Sequence, residues 1–136
     1  MGGASVDILG VRVDNVTTAE ALELMARFVT EGQPHQVVTV NPEFVMEAQR
    51  NPEFRVVLHE AHLALPDGAG LLWASRLLGQ PLRERVTGSD TLPLLARMAA
   101  QRGYRFYFLG AAPGVAEKAA DVLRAANPGL KIVGTY

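Results

Sequence analysis

The 136-residue chain is 49% hydrophobic and 20% charged with a formal net charge of −1, so it can bury a core and has no overall field to attract nucleic acid or another polyanion. It contains no cysteine, which excludes disulfide frameworks, thiol nucleophiles and thiolate zinc sites and suits a reducing compartment. Met1 to Ser5 lack the basic and apolar regions of a signal peptide, and the densest apolar run, Leu71 to Leu78, is broken by Ser75 and Arg76, far short of the roughly 18 apolar residues of a membrane span. The expectation is one domain over residues 1–136, soluble or at most peripheral and not secreted.

In chain order, Val6 to Val13 reads as a short strand pair around Gly10, with Asp14-Asn15 as a turn. Thr17-Thr18-Ala19-Glu20 fits a capping box, and Ala21, Leu22, Met25, Phe28 and Val29 recur at helical spacing until Gly32-Gln33-Pro34. Gln36 to Val40 is a β-branched run without alternation, as expected of a strand covered on both faces, and Asn41-Pro42-Glu43 starts a helix directly after it. Asn-Pro-Glu-Phe recurs at 51–54, a second helix start, with Phe54, Val57, Leu58 and Ala61 as its apolar face.

Leu63 to Leu65 reads as another core strand, followed by Pro66-Asp67-Gly68 and a helix from Ala69 to Leu78 that Gly79-Gln80-Pro81 ends. After the Arg83-Glu84-Arg85 loop, Ser89 or Asp90 can cap a helix bearing Leu92, Leu95, Ala96 and Ala99, with Gly103 as its stop. Tyr104 to Leu109 is a strand, Gly110 to Gly114 a tight connection, and Val115, Ala119, Val122, Leu123 and Ala126 one face of a helix. Lys131 to Thr135 reads as a final strand. This alternation predicts an α/β fold with a parallel sheet, right-handed crossovers and flanking helices. The chain stops on a strand with no closing helix, so a C-terminally truncated or multi-part protein is expected.

In such folds ligands bind beyond the carboxyl ends of the strands, where this chain places Thr39 and Asn41, then Asp67 and Gly68, then Gly110 to Gly114. Asp67 can serve as a general base, although Pro-Asp-Gly is also ordinary turn chemistry. Asn51 provides a comparison for Asn41: both precede Pro-Glu-Phe, but only Asn41 directly follows a core strand. Gly110 to Gly114 can offer backbone N–H groups to a phosphate or be merely a tight turn, and it is neither Gly-x-Gly-x-x-Gly nor a P-loop. Arg83 and Arg85 can neutralise a diphosphate or be solvated surface. His59 and His62 sit three apart without a third ligand or the spacing of a zinc protease, and Asp-x-Asp is absent, so no metal is expected. Trp73 and the Tyr104, Phe106, Tyr107, Phe108 cluster read as core or sheet packing, with no basic interleaving to suggest stacking on bases.

An ordered set of short motifs runs through the chain: Ile8-Leu9-Gly10 with Asp14-Asn15-Val16-Thr17, Thr39-Val40-Asn41-Pro42-Glu43, Pro66-Asp67-Gly68-Ala69-Gly70, Glu84 to Asp90, and Leu109 to Lys118. The set resembles the WecG/TagA/CpsF glycosyltransferases, which build teichoic acid linkage units, enterobacterial common antigen and capsular polysaccharide. The resemblance implies a Rossmann-like sheet and inverting, metal-independent transfer of an N-acetylmannosamine-type sugar from a UDP-sugar to polyprenyl-diphosphate-linked N-acetylglucosamine. It makes Asp67 the general base and places Thr39 in the catalytic pocket. Asn41 and Arg85 match pocket positions, and Gly68, Asp90, Gly110 and Gly114 are further substrate-binding candidates.

The family resemblance further implies a cytoplasmic protein at the inner face of the membrane, associated peripherally through a basic C-terminal appendage. Members of that family continue well past the point that corresponds to Tyr136, so turnover by these residues alone is not expected. The competing readings are a non-catalytic nucleotide-binding or interaction domain on the same sheet, and a dinucleotide oxidoreductase, which the missing Gly-x-Gly-x-x-Gly counts against. A homo-oligomer would cover the edge strand at 131–135.

Overall fold

The computed structural model describes residues 4–136; residues 1–3, part of the segment read for a leader, lie outside it. The chain packs as two compact units, divided between Gly88 and Ser89. In the first, β1 (Ser5–Ile8) and β2 (Val11–Asp14) form an antiparallel hairpin. Leu9 and Gly10 between them have φ of 51° and 82°, the positive values that a two-residue type I′ turn demands.

Helix α1 (Thr18–Glu31) begins at the expected capping box, with both reciprocal bonds between Thr17 and Glu20 present, and ends at Gly32 in the left-handed region. Strand β3 (Val37–Val40) leads through Asn41 into α2 (Pro42–Arg50), and Asn51 starts α3 (Pro52–Glu60). Each asparagine accepts a hydrogen bond from the backbone N–H three residues on, at 2.8 Å for Asn41 and 3.1 Å for Asn51, and each is followed by proline at the first helical position. Strand β4 (Leu63–Pro66), buried throughout, pairs in parallel with β3 in the register Val37↔Leu63 to Val40↔Pro66. Helix α4 (Ala69–Leu77) follows.

The hairpin joins β4 through side chains: Asp14 Oδ2 accepts from the Ala64 N–H at 2.8 Å, and Arg12 Nη2 donates to the Ala61 carbonyl at 2.8 Å. One core cluster lies among the hairpin, α2, α3 and α4, with Val11, Val13, Val40 and Leu71 fully or almost fully buried; a second joins Val16 and Ala21 to Leu63, Leu65 and Val86.

Helix α5 (Gly88–Arg102) starts at the division, and in the second unit it leads to β5 (Arg105–Phe108), α6 (Val115–Ala126) and β6 (Lys131–Thr135). Strands β5 and β6 are parallel, with an irregularity after Phe106 where the Tyr107 ring lies against Gly134. Ala96, Ala99, Leu123 and Leu130 form its core with Tyr104, Phe106 and Phe108 against them. The strands thus hydrogen-bond as three pairs, two of them parallel, within the α/β class.

Several faces differ from expectation. Ser89 and Asp90 lie inside the first turn of α5, because the helix already begins at Gly88. On α6 the buried stripe is Ala116, Ala120 and Leu123, while Val115 and Val122 are exposed: the inward face is one built of alanines, which let the helix approach closely. Val29 and Val57 also face outward. Trp73 is 66% exposed, beneath Arg76 at 5.9 Å, and is not core.

Candidate functional site

The parallel pairing of β3 and β4 sends both chains off the same edge, and the Asp67 N–H seals that edge by donating to the Val40 carbonyl at 2.8 Å. Thr39, Asn41, Asp67 and Gly68 therefore emerge together, as the reading of the strand ends expected. Asn41 uses Oδ1 to cap α2, and its side-chain nitrogen has no partner among the described residues. Gly68 turns the chain at φ 156°, and a Cβ there would stand 3.0 Å from Pro42 Cδ. A Cβ on Gly70 would come to 2.9 Å from Pro42 Cγ. The N-termini of α2 and α4 are thus brought side by side against the Pro42 ring, and both present their positive ends at this edge.

The segment after α4 completes the site. Val86 donates its N–H to the Pro66 carbonyl at 2.9 Å, and Gly88 donates its own to Asp67 Oδ2 at 3.2 Å. A Cβ at position 88 would lie 3.4 Å from Thr39 Cγ2 and 4.0 Å from Asp67 Oδ2, so Gly88 borders both residues. One carboxylate oxygen, Oδ2, is held by a backbone donor. That arrangement orients a half-buried carboxylate, a group able to accept a proton.

The two arginines of the loop separate clearly. Arg83, read as a diphosphate ligand or solvated surface, is exposed but tied to the protein: its Nη2 donates to the Asn15 carbonyl and to Glu20 Oε1, each at 2.5 Å. Its N–H reaches Asn15 Oδ1 at 2.9 Å, and neighbouring Glu84 accepts from the Thr18 N–H. Glu20 is held below the usual carboxylate range by the Thr17 backbone N–H first and the Arg83 side chain next. Arg85 is exposed and has no ion-pair or hydrogen-bond partner among the described residues, so its charge is available to a ligand.

Gly110 and Gly114 belong to the second unit, as does Asp90. Both glycines have positive φ, 100° and 84°, and the Gly110 N–H is committed to the Tyr136 carbonyl at 2.7 Å. Gly110 borders an apolar groove of about 480 Å³ with Leu92, Tyr107, Leu109, Val115 and Ala119. In the first unit, a cavity of about 550 Å³ opens between α2 and α3 over Phe44, Met46 and Phe54, but neither Asp67 nor Thr39 lines it.

His59 and His62 do not share a helix face, since α3 ends at Glu60. His59 Nε2 faces the Gly10 carbonyl at 2.9 Å, and His62 Nδ1 accepts from the Gln36 N–H at 3.0 Å. No group of three or more His, Asp or Glu able to hold a metal occurs among the described residues, and no helix there is long and apolar enough to cross a membrane. The residue that sequence reasoning missed is Gly88, whose N–H touches Asp67; its only signal was its place in the Gly88-Ser89-Asp90 motif.

A family model described as the glycosyl transferase WecG/TagA/CpsF family matches residues 6–136. The chain is similar to the N-acetylglucosaminyldiphosphoundecaprenol N-acetyl-beta-D-mannosaminyltransferase of Bacillus spizizenii, with 34% identity over 122 residues, covering 90% of this chain and 48% of that protein. It is likewise similar to the enzyme of the same name from Staphylococcus aureus strain NCTC 8325, with 31% identity over 129 residues, covering 93% of this chain and 51% of the other. It spans about half the length of the curated relatives it matches.

Proposed function

This chain belongs to the WecG/TagA/CpsF glycosyltransferase family, and from that premise we propose that it carries the catalytic base of an inverting glycosyltransferase. The donor in this reading is a UDP-sugar of the N-acetylmannosamine type and the acceptor a polyprenyl-diphosphate-linked N-acetylglucosamine, at the cytoplasmic face of the membrane. The relatives' names support the acceptor and the transferred sugar, and the β configuration they print is what inversion of an α-linked sugar nucleotide yields.

The observation that carries the proposal is the Asp67 carboxylate just past the end of β4, held through Oδ2 by the Gly88 N–H and bordered through Gly88 by Thr39. In a single displacement, the Asp67 carboxylate takes the proton of the acceptor hydroxyl as the hydroxyl oxygen bonds to the anomeric carbon. The bond from that carbon to the UDP oxygen breaks, and UDP leaves with the electron pair. Thr39 beside Gly88 and the free amide nitrogen of Asn41 are placed to hold sugar or acceptor hydroxyls, and Arg85 to steady phosphate charge. Asp90, Gly110 and Gly114 are substrate-binding candidates through the family resemblance alone, and no metal takes part in this reading.

Asp67→Asn keeps the shape and removes the base. In this chain extended to the length of its curated relatives, transfer from UDP-N-acetylmannosamine to a short-chain polyprenyl-diphosphate N-acetylglucosamine should fall at least about 100-fold, with UDP affinity by calorimetry nearly unchanged. Turnover within about threefold of the parent would refute the assignment of Asp67. Activity that disappears in EDTA and returns with magnesium would refute the metal-free mechanism.

A further inference from the structure

We infer that Arg83 and Glu84 are positioning residues for Asp67, acting through the loop that ends at Gly88. The inference rests on the reading of Asp67 as the base, and it explains what holds the Gly88 donor to that carboxylate in place.

The segment from Gln80 to Thr87 is neither helix nor strand, so its course depends on anchors. Leu82 and Val86 are buried, and the Leu82 N–H donates to Ser75 Oγ at 2.9 Å. Between these apolar anchors the chain is gripped by the start of α1. Arg83 contributes a backbone N–H to Asn15 Oδ1 and a guanidinium nitrogen to both the Asn15 carbonyl and Glu20 Oε1. Glu84 turns its carboxylate onto the Thr18 N–H, one of the helix donors that have no partner within the helix.

The two grips have opposite charge and engage the same helical turn. They share a component with the capping box as well, because Glu20 Oε1 also accepts from the Thr17 N–H at 2.9 Å. Two residues past Glu84 the chain docks on Pro66, and two residues later Gly88 meets Asp67. A carboxylate whose described hydrogen bond comes from the amide where this loop enters α5 is only as well aimed as that junction. The first turn of α1 thus fixes the loop, the loop fixes the Gly88 amide, and the amide fixes how the Asp67 carboxylate is turned.

Two measurements test this. In the 136-residue chain, ¹⁵N–¹H spectra should show the Gly88 amide shifting in the same direction in Arg83→Ala as in Asp67→Asn and exchanging faster with solvent. Glu84→Ala, which removes the acceptor for Thr18, should shift it likewise, and Glu84→Gln, which keeps an acceptor, should shift it less; a Glu84→Ala protein with an unmoved Gly88 amide would remove Glu84 from the inference. A Gly88 amide that does not respond to Arg83→Ala would overturn the inference.

In the transfer assay, run with the chain extended to the length of its curated relatives, Arg83→Ala should lower kcat roughly tenfold or more with little change in donor KM, and Arg83→Lys should recover part of the loss. In the Asp67→Asn background the same change should cost at least tenfold less than in the parent. Coupling weaker than tenfold would mean that Arg83 acts on stability alone and would also overturn it. If Asp67→Asn itself leaves turnover intact, the base assignment fails, while the Gly88 amide still reports whether the loop is held by α1.

Discussion

Gly70 tests whether α2 and α4 are in contact as closely as described. It lies inside α4 with an unexceptional φ, so helix propensity alone predicts that Gly70→Ala stabilises the protein by about 1 kcal/mol. The added Cβ, however, would come to 2.9 Å from Pro42 Cγ and 3.9 Å from Pro42 Cβ, whereas carbon atoms pack best at about 3.5–4.0 Å. The obstacle is a proline ring at the first position of α2, where the Asn41 cap fixes the backbone, so it has no flexible end to swing aside. Relief requires one helix terminus to move, and overpacking of this kind costs about 1–3 kcal/mol. The balance is a net loss near 1 kcal/mol, read as a lower urea midpoint at constant m by circular dichroism. The double variant with Pro42→Ala should regain most of that loss, relative to Pro42→Ala alone. A Gly70→Ala protein at least as stable as its parent would refute the close contact between these two helix starts.

Asn41→Ala and Asn51→Ala should each cost about 1 kcal/mol of stability as lost caps, but only Asn41→Ala should also depress transfer, since only Asn41 stands at the site; equal kinetic effects would contradict this. Glu20 and Glu47 are both held below the ordinary value of 4.5, Glu47 chiefly by Arg50 and then by Asn51. Their charged forms therefore stabilise the fold fully above that value, and the contribution is lost as pH falls through their lowered folded values; Glu20→Gln should flatten the acid limb of a stability–pH curve, and an unchanged limb would count against the capping contacts. Arg85→Ala should weaken UDP binding or raise donor KM several-fold at unaltered melting temperature, because no described contact is lost. A drop in melting temperature would show instead that Arg85 holds the fold.

Local chemistry made much of this architecture readable in advance. The capping box at Thr17, the paired Asn-Pro starts at 41 and 51 and the apolar run at 63–65 each report their own geometry within three or four residues. They also placed Thr39, Asn41 and Asp67 at one edge. What stayed unread depends on partners distant in sequence: Arg83 meets Asn15 and Glu20 across more than sixty residues, and no local pattern distinguishes it from Arg85 two positions later. The inward face of α6 was misassigned for a related reason. Valine outranks alanine in hydrophobicity, yet a helix that must pack closely turns its small residues inward.

The turn at Leu9-Gly10 bears on the order in which the chain folds. Leucine is a poor choice for a left-handed position, and the turn is finished only by residues that arrive later: Gln49 Nε2 and Arg55 Nη2 both donate to the Leu9 carbonyl, at 3.0 and 2.8 Å, and His59 reaches Gly10. A hairpin of this kind is short in sequence but gains much of its support from α2 and α3. It should therefore zip up after those helices dock, and substitutions at Leu9 should speed unfolding while leaving the folding rate nearly unchanged.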